Sequence, residues 1–508
     1  MSNSSRIAKN TLFLYLRSFV VLVISLYTSR KILEVLGIED YGIYNVVGGV
    51  VGLMSFLNTS MAATYQRYFN YEMGKHNNNG LAKLFQSSLS VQLLYAILTI
   101  LIAETLGLWF LDHKLIISPE RIDAARWVYH ISIASFALTM FQAPFTALII
   151  AYEKMDILAY ISILETVLKL AIVYMLDLSL ADKLLLYGLL SFGVILLSTI
   201  MYMVVCRVKF RVCKIGLDWN RQNLKELIQF GGWGMLGSLA ITLKGQGVSV
   251  VLNMFFGPVV NAAQGIANQI MNAVNQFVAS FQSAFRPQLT KSYAEGDLSY
   301  MYKLYYTATK ISFYLILVLS LPIIMETPMI LRLWLGNNVP EHTVVFTRLT
   351  LLTTMIGAYA NPTSCIAYAV GRIKWFTIIV STLNLMIVPI AYIVLRMGAT
   401  PKSALIVCLV ITIFAQITRL LVLKHLEASF SLKHYLSKVI WPTLLVAMTS
   451  MIIPMTLKWF VSNSDSFLSS IIVGAGAIIS VLLCVFIFGL DNAERTVLWS
   501  KFKHVIHK

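Results

Sequence analysis

Apolar residues arrive in long blocks separated by short polar turns. Runs bounded by charged or Gly/Pro-containing segments place helices near residues 11–33, 41–64, 83–111, 124–150, 155–176, 183–206 and 226–256. A second set follows near 259–284, 304–335, 343–370, 373–396, 402–424, 437–460 and 467–490. A helix of such length crosses about 30 Å of hydrocarbon. The pattern predicts an all-α polytopic membrane protein of about fourteen spans. The first run follows a short polar segment as a secretory signal would, but it is too long and lacks a small-residue cleavage site. It is expected to stay as the first span.

Composition agrees with the pattern. The chain is 58% apolar and 12% charged, against about a quarter charged in soluble domains. Its net charge of +17 would suit nucleic acid only if the cations clustered on a polar domain, and they lie instead in short loops. With the N-terminus, the even loops and the C-terminus taken as one side, and cations near the span ends assigned to the adjoining loop, that side holds 25 of the 40 Lys and Arg, the other 11, and four (Arg17, Lys169, Lys244, Arg419) stay within spans. This bias predicts cytoplasmic termini and no nucleic-acid partner. The five cysteines are odd in number and scattered, so neither a disulfide framework nor a metal site is implied.

A weak internal repeat organises the spans. APFTALIIAYEK, with Pro144 and Lys154, realigns on NPTSCIAYAVGR, with Pro362 and Arg372; Leu36 and Gly37 realign on Phe256 and Gly257, and Arg67 falls on Arg286. A repeat of six spans returns the chain to its starting side, so its two copies must be parallel. The expected organisation is an N-terminal lobe at 1–206, a basic cytoplasmic linker at 207–225, a C-terminal lobe at 226–424, and two further spans with a cytoplasmic tail at 425–508.

Polar residues inside the spans are the candidate chemistry. In span eight Asn261, Gln264, Asn268, Asn272, Asn275, Gln282 and Arg286 follow steps of three or four, with Ala279 filling the gap. One helical face is therefore amide-rich. Amides facing lipid would lose their hydrogen bonds with water, so this face is expected either to line a hydrated cavity or to bond neighbouring helices. Span two repeats it thinly with Tyr41, Asn45, Gly48, Gly52, Ser55, Thr59 and Gln66. Lys244 lies mid-span in KGQG, where two glycines loosen the helix, and is expected to face a lumen. Arg17 is balanced between lumen and interface, and Arg419 is expected to snorkel to the interface. Glu165 and Lys169, four apart, form either a structural ion pair or a coupling site beside an anion-holding cation. No GxxxxGK(S/T), HExxH or GxSxG motif occurs, so the usual frameworks for ATP hydrolysis and hydrolase chemistry are lacking and no cofactor is expected. Coupling to H+ or Na+ stays open.

At LGIEDYGIYNVVGGVVGLMSFLN (Leu36 to Asn58), QRYFNYEMGKHN (Gln66 to Asn77) and FRPQLTKSYAEGD (Phe285 to Asp297) the sequence resembles the bacterial polysaccharide transporters. These are the Wzx-like O-antigen flippases of the multidrug/oligosaccharidyl-lipid/polysaccharide (MOP) exporter superfamily. The resemblance implies a two-lobed fold in the bacterial inner membrane that moves an undecaprenyl-diphosphate-linked oligosaccharide outward by alternating access. It also implies membrane lipids, a polysaccharide polymerase and glycosyltransferases as neighbours, and a monomer as the working unit. Related lipid II flippases are similar in carrying a basic residue in span one, which Arg17 matches by position. The implied roles give Lys244, Arg17 and Lys169 to the anionic head group, Asn45 and the span-eight amides from Asn261 to Asn275 to sugar, and Glu165 to ion coupling.

Two other readings compete. A cation-coupled drug exporter of the same superfamily would want acidic residues in its cavity, and this chain offers Glu165, Glu104 and little else. A membrane enzyme acting on lipid-linked glycans would need a sizeable aqueous loop, whereas the segments at 207–225 and 112–123 are short and lack paired carboxylates. The expectation is a transporter, not an enzyme.

Overall fold

The computed structural model describes residues 3–336, 338–370, 373–461, 467–491 and 494–495; side chains of residues 3–18 and of some later helical positions, Arg286 among them, fall outside the described set. Every regular element described is a helix: α1 (Asn3–Gly52), α2 (Ser55–Gly74), α3 (Asn78–Lys114), α4 (Ile122–Ala151), α5 (Met155–Asp177) and α6 (Lys183–Lys209). Next, α7 runs over 221–256, with a wide π-turn at Leu243–Gly247, and α8 over Pro258–Ala294. They are followed by α9 (Leu298–Met325), α10 (Thr327–Leu335), α11 (Thr343–Gly357), α12 (Ala360–Val370), α13 (Ile373–Leu385), α14 (Ile387–Arg396), α15 (Lys402–Leu426), α16 (Leu432–Phe460) and α17 (Phe467–Gly489).

Among the described residues, eleven helices are long and apolar enough to cross a membrane by length and composition. They coincide with the expected spans three to seven and nine to fourteen. The other three expected spans fall on α1, α2 and α8, which are helical but richer in polar residues. Outward faces are apolar: Leu482 and Leu483 of α17, and Ile413, Phe414, Ile417 and Leu421 of α15, are exposed. This inverts the pattern of a water-soluble surface, as lipid requires.

The repeat is written into the turns. Gly37 breaks α1 at φ 79°, ψ 171°, and Gly257, 220 residues later, ends α7 at φ 77°, ψ −169°. Only glycine takes up this left-handed extended backbone without strain. The next pair of turns also matches. His76 (φ 55°) and Gly296 (φ 77°) each precede a helix whose N-cap side chain accepts a backbone N–H three residues on: Asn77 from Gly80 at 2.9 Å and Asp297 from Tyr300 at 3.0 Å. The amides of Asn77 and Asp297 both reach back five residues, to the carbonyls of Glu72 and Ser292 at 3.1 Å.

The chain divides into two compact units, 1–266 with 337–343 and 381–407, and 267–336 with 344–380 and 408–508. In the first, α2 packs on α4 and α7, α1 on α5, and α4 on α6. A run of rings from Tyr65 through Phe69 and Phe85 to Phe145, with centroids 5.3–6.3 Å apart, fills one end of its core. At the other end Arg121 holds Asp40 through both carboxylate oxygens (2.6 and 2.8 Å) and Asp182 at 2.6 Å, tying the break in α1 to the starts of α4 and α6. Close backbone approach matters at Gly42, where an added Cβ would land on the carbonyl oxygen of Pro258. Gly42→Ala is expected to cost about 2 kcal/mol or more, read as a lowered midpoint of thermal unfolding in detergent, because a carbonyl cannot yield as a flexible side chain would.

In the second unit, α9 packs on α17, which pairs with the end of α16. Two ion pairs fasten this last hairpin to α9. Near the middle of the helix Lys310, 2% exposed, meets Glu494 at 2.7 Å, and Thr307 donates to the same carboxylate at 2.6 Å. Just past its C-terminal end, Glu326 accepts from Lys458 at 2.9 Å and from Ser470 at 2.7 Å. A cavity of about 490 Å³ beside the Lys310 pair is lined by Tyr302, Lys303, Tyr306, His434 and Lys438.

Candidate functional site

Lys244 sits inside the π-turn of α7, as the two flanking glycines suggest, and is half-buried and engaged by neighbouring groups. A π-turn carries one extra residue per turn and often marks a functional position within a helix. The chain around Lys244 is tightly held within the first unit. Cβ atoms added at Gly49 and Gly52 of α1 would lie 3.2 and 3.6 Å from the Gln246 side chain. Ser55 and Thr242 hydroxyls are 3.5 Å apart. The polar residues of span two thus meet α7 along a seam of small and polar groups. Asn45 meets α8 instead: its amide donates to the Tyr41 carbonyl at 2.7 Å, and a Cβ at Gly265 of α8 would touch its oxygen.

The amide face of α8 divides along its length. Asn261 is fully enclosed and donates to the Ser249 carbonyl and hydroxyl at 2.7 and 2.9 Å, while Gln264 is 5% exposed. Asn268 is half-buried, and Asn272 and Asn275 are exposed. Gln282 is buried again and accepts from Asn361 at 2.7 Å. The two ends of the face are therefore spent inside the protein, and only its middle emerges. An amide in lipid without hydrogen bonds costs roughly 1–3 kcal/mol, so the emergent middle calls for water or a polar ligand.

Charges inside the spans are mostly paired. Lys169 donates to Glu165 at 2.7 Å, both side chains partly exposed, on the α5 helix that packs against α1. Glu104 accepts from His130 Nδ1 at 3.0 Å. It lies at a second π-turn, Ala103–Gly107, whose Ala103 carbonyl accepts both the Leu108 N–H that closes the turn and the Tyr129 hydroxyl at 2.7 Å. The Arg17 side chain lies outside the described residues. Arg419 departs from expectation: instead of snorkelling it is turned inward, and its Nε is enclosed without an acceptor. Sequence position gives its depth in the bilayer but not its direction. The signal available was its three-residue spacing from Gln416, on a face with the small or polar Cys408, Thr412 and Ala415.

Residues 7–292 match the family model described as polysaccharide biosynthesis protein. The chain belongs to that family. The fold of this family member is shared with solved transporters of low sequence identity. The lipid II flippase MurJ in an inward closed conformation is 12% identical, with a TM-score of 0.68 over 94% of this chain and 98% of that one. An inward-facing multidrug resistance MATE family transporter of the MOP superfamily is 15% identical, with a TM-score of 0.65 over 82% of this chain and 100% of that one. An outward-facing form of such a transporter gives 0.58 at 16% identity, covering 83% and 97%. No curated protein sequence matches significantly. This polysaccharide biosynthesis family member is thus a multi-pass membrane protein with a MATE- and MurJ-like helical fold.

Proposed function

We propose that the protein is a flippase for an undecaprenyl-diphosphate-linked oligosaccharide, such as an O-antigen or other surface-polysaccharide repeat unit, in the bacterial inner membrane, with both termini cytoplasmic. The observation that carries this reading is the state of the carboxylates within spans: Glu165 is held by Lys169 and Glu104 by His130. Neither is offered to a cationic drug, whereas Lys244 and the emergent amides suit an anionic, hydroxyl-rich cargo. In this reading Lys244, with Arg17, serves the diphosphate, and Lys169 joins them only when its pair with Glu165 opens. Asn268, Asn272 and Asn275 serve the sugar, while Asn45, Asn261 and Gln264 hold the helices that present them. Family membership and the MurJ-like fold support the same substrate class.

Moving the anion outward has a driving force. Each negative charge leaving a cytoplasm at −100 mV gains about 2.3 kcal/mol, so a diphosphate of about two charges gains about 4.6 kcal/mol. The lobes of the six-span repeat alternate their access while the prenyl tail stays in lipid, and one polypeptide suffices. Glu165 is the group for any ion coupling.

Proteoliposomes holding the full chain and a fluorescent undecaprenyl-diphosphate oligosaccharide test the proposal. Accelerated exposure of the label at the far leaflet, faster with the potential positive on that side, is expected. Export of cationic dyes that depends on Glu165, or a change in glycan length without translocation, would sink it.

A further inference from the structure

Arg419 and Gln416 carry enclosed hydrogen-bond donors, Nε and Nε2, that have no acceptor among the described residues. Both lie on α15, three residues apart, on the face that includes the buried Cys408, Thr412, Ala415 and Leu423. The opposite face, Ile413, Phe414, Ile417 and Leu421, is exposed and apolar, and is the one that meets lipid. The guanidinium is therefore directed into the second unit, where Ala367 of α12 and Phe376 of α13 pack near Val422 and Leu426 of α15. Arg419 Nη1 approaches Gln416 Oε1 at 3.5 Å, the limit of a hydrogen bond. Arg419 Nε and Gln416 Nε2 are enclosed and have no acceptor, and Gln416 is only 6% exposed.

Several other cations in the chain are neutralised directly. Lys310, Lys169 and Arg121 each have a carboxylate within 2.7 Å, whereas Arg419 forms no ion pair among the described residues. A half-buried cation with an enclosed, unfilled donor and a buried amide in the same state are both unfavourable. Their persistence on one face is accounted for if the acceptor comes from outside the chain. A planar guanidinium fork beside an amide N–H is the donor set that a tetrahedral oxyanion fills. Arg419 lies seven residues from Leu426, roughly 10 Å from that end of α15 at 1.5 Å per residue. A phosphate carried on a lipid reaches that depth without leaving the membrane.

We infer that Arg419 and Gln416 form an oxyanion site in the second unit for the phosphate of a lipid-borne ligand. The site stands on its own geometry, and only the choice of the substrate's diphosphate as its source rests on the flippase reading. The headgroup of an anionic phospholipid offers the same chemistry.

The test uses the full chain in detergent micelles, comparing wild type with Arg419→Met and Gln416→Leu. Thermal unfolding is measured without ligand, and binding is measured with undecaprenyl diphosphate, phosphatidylglycerol and inorganic pyrophosphate. Arg419→Met is expected to raise the ligand-free unfolding midpoint by about 2 °C, because it removes an uncompensated charge. It is also expected to weaken undecaprenyl diphosphate binding at least about tenfold. Gln416→Leu should do the same more weakly, about threefold in affinity. Lower ligand-free stability in both variants, the mark of a structural role, overturns the site, as does unchanged affinity for all three probes. Arg419-dependent binding of phosphatidylglycerol with none of undecaprenyl diphosphate keeps the site and removes the proposed substrate. Arg419-dependent binding of pyrophosphate alone overturns the lipid-borne assignment.

Discussion

Lys244→Ala is expected to slow translocation of a lipid-linked oligosaccharide at least about tenfold in proteoliposomes, with yield and thermal stability unchanged. A charge-assisted hydrogen bond contributes about 1.5–3 kcal/mol, and each 1.4 kcal/mol is a factor of ten. The ammonium emerges from a π-turn whose packing is carried by other residues: Gln246 fills the space against Gly49 and Gly52, and Thr242 meets Ser55. Truncating Lys244 therefore removes charge without removing the seam. Lys244→Arg should keep much of the rate. Initial rates at saturating protein check the point, and a wild-type rate for the alanine variant would take Lys244 out of the site.

Glu494→Gln is expected to lower stability by about 3 kcal/mol, at the lower end of the range for breaking a buried pair, since Asp491 lies 3.9 Å from the same ammonium and compensates in part. The variant leaves Lys310, 2% exposed, without the carboxylate at 2.7 Å. The double variant Lys310→Met, Glu494→Met should recover most of the loss, because well-packed apolar residues replace such pairs at little cost. The dependence on pH has a definite sign. Burial alone would raise the Glu494 carboxyl, but the Lys310 ammonium and then the Thr307 hydroxyl outweigh it and hold the group below its ordinary value. Its contribution is thus complete above the ordinary glutamate range and lost as pH falls through the depressed value. Unfolding midpoints of wild type and Glu494→Gln should converge on acidification. Parallel midpoints across that range would show that the pair does not hold the hairpin.

Helical spans were legible because a bilayer enforces length and apolarity on every crossing, and α3 to α6 fall where the hydropathy places them. The repeat was legible because turns require particular residues: Gly37 and Gly257 recur since one left-handed backbone recurs. The amide periodicity of α8 gave the face correctly. It did not say which amides another helix would consume, because Ser249 and Asn361, the partners of Asn261 and Gln282, lie elsewhere in the chain. The Lys310 and Glu494 pair was out of reach for the same reason, with 184 residues between its members. Arg419 departs from expectation because a helix offers two ways for a long cation to turn, and here it turns back toward Gln416.

The fastening of the last hairpin at the middle and the C-terminal end of α9 bears on ancestry and on engineering. A relative that lacked α16 and α17 would leave Lys310 and Glu326 as stranded charges, so the two residues and the hairpin are expected to be gained or lost as a set. Their joint presence in a sequence is a marker for the form that carries this hairpin, and it needs no structure to read. By the same logic, a truncation after α15 will yield a folded protein only if both positions are neutralised with it.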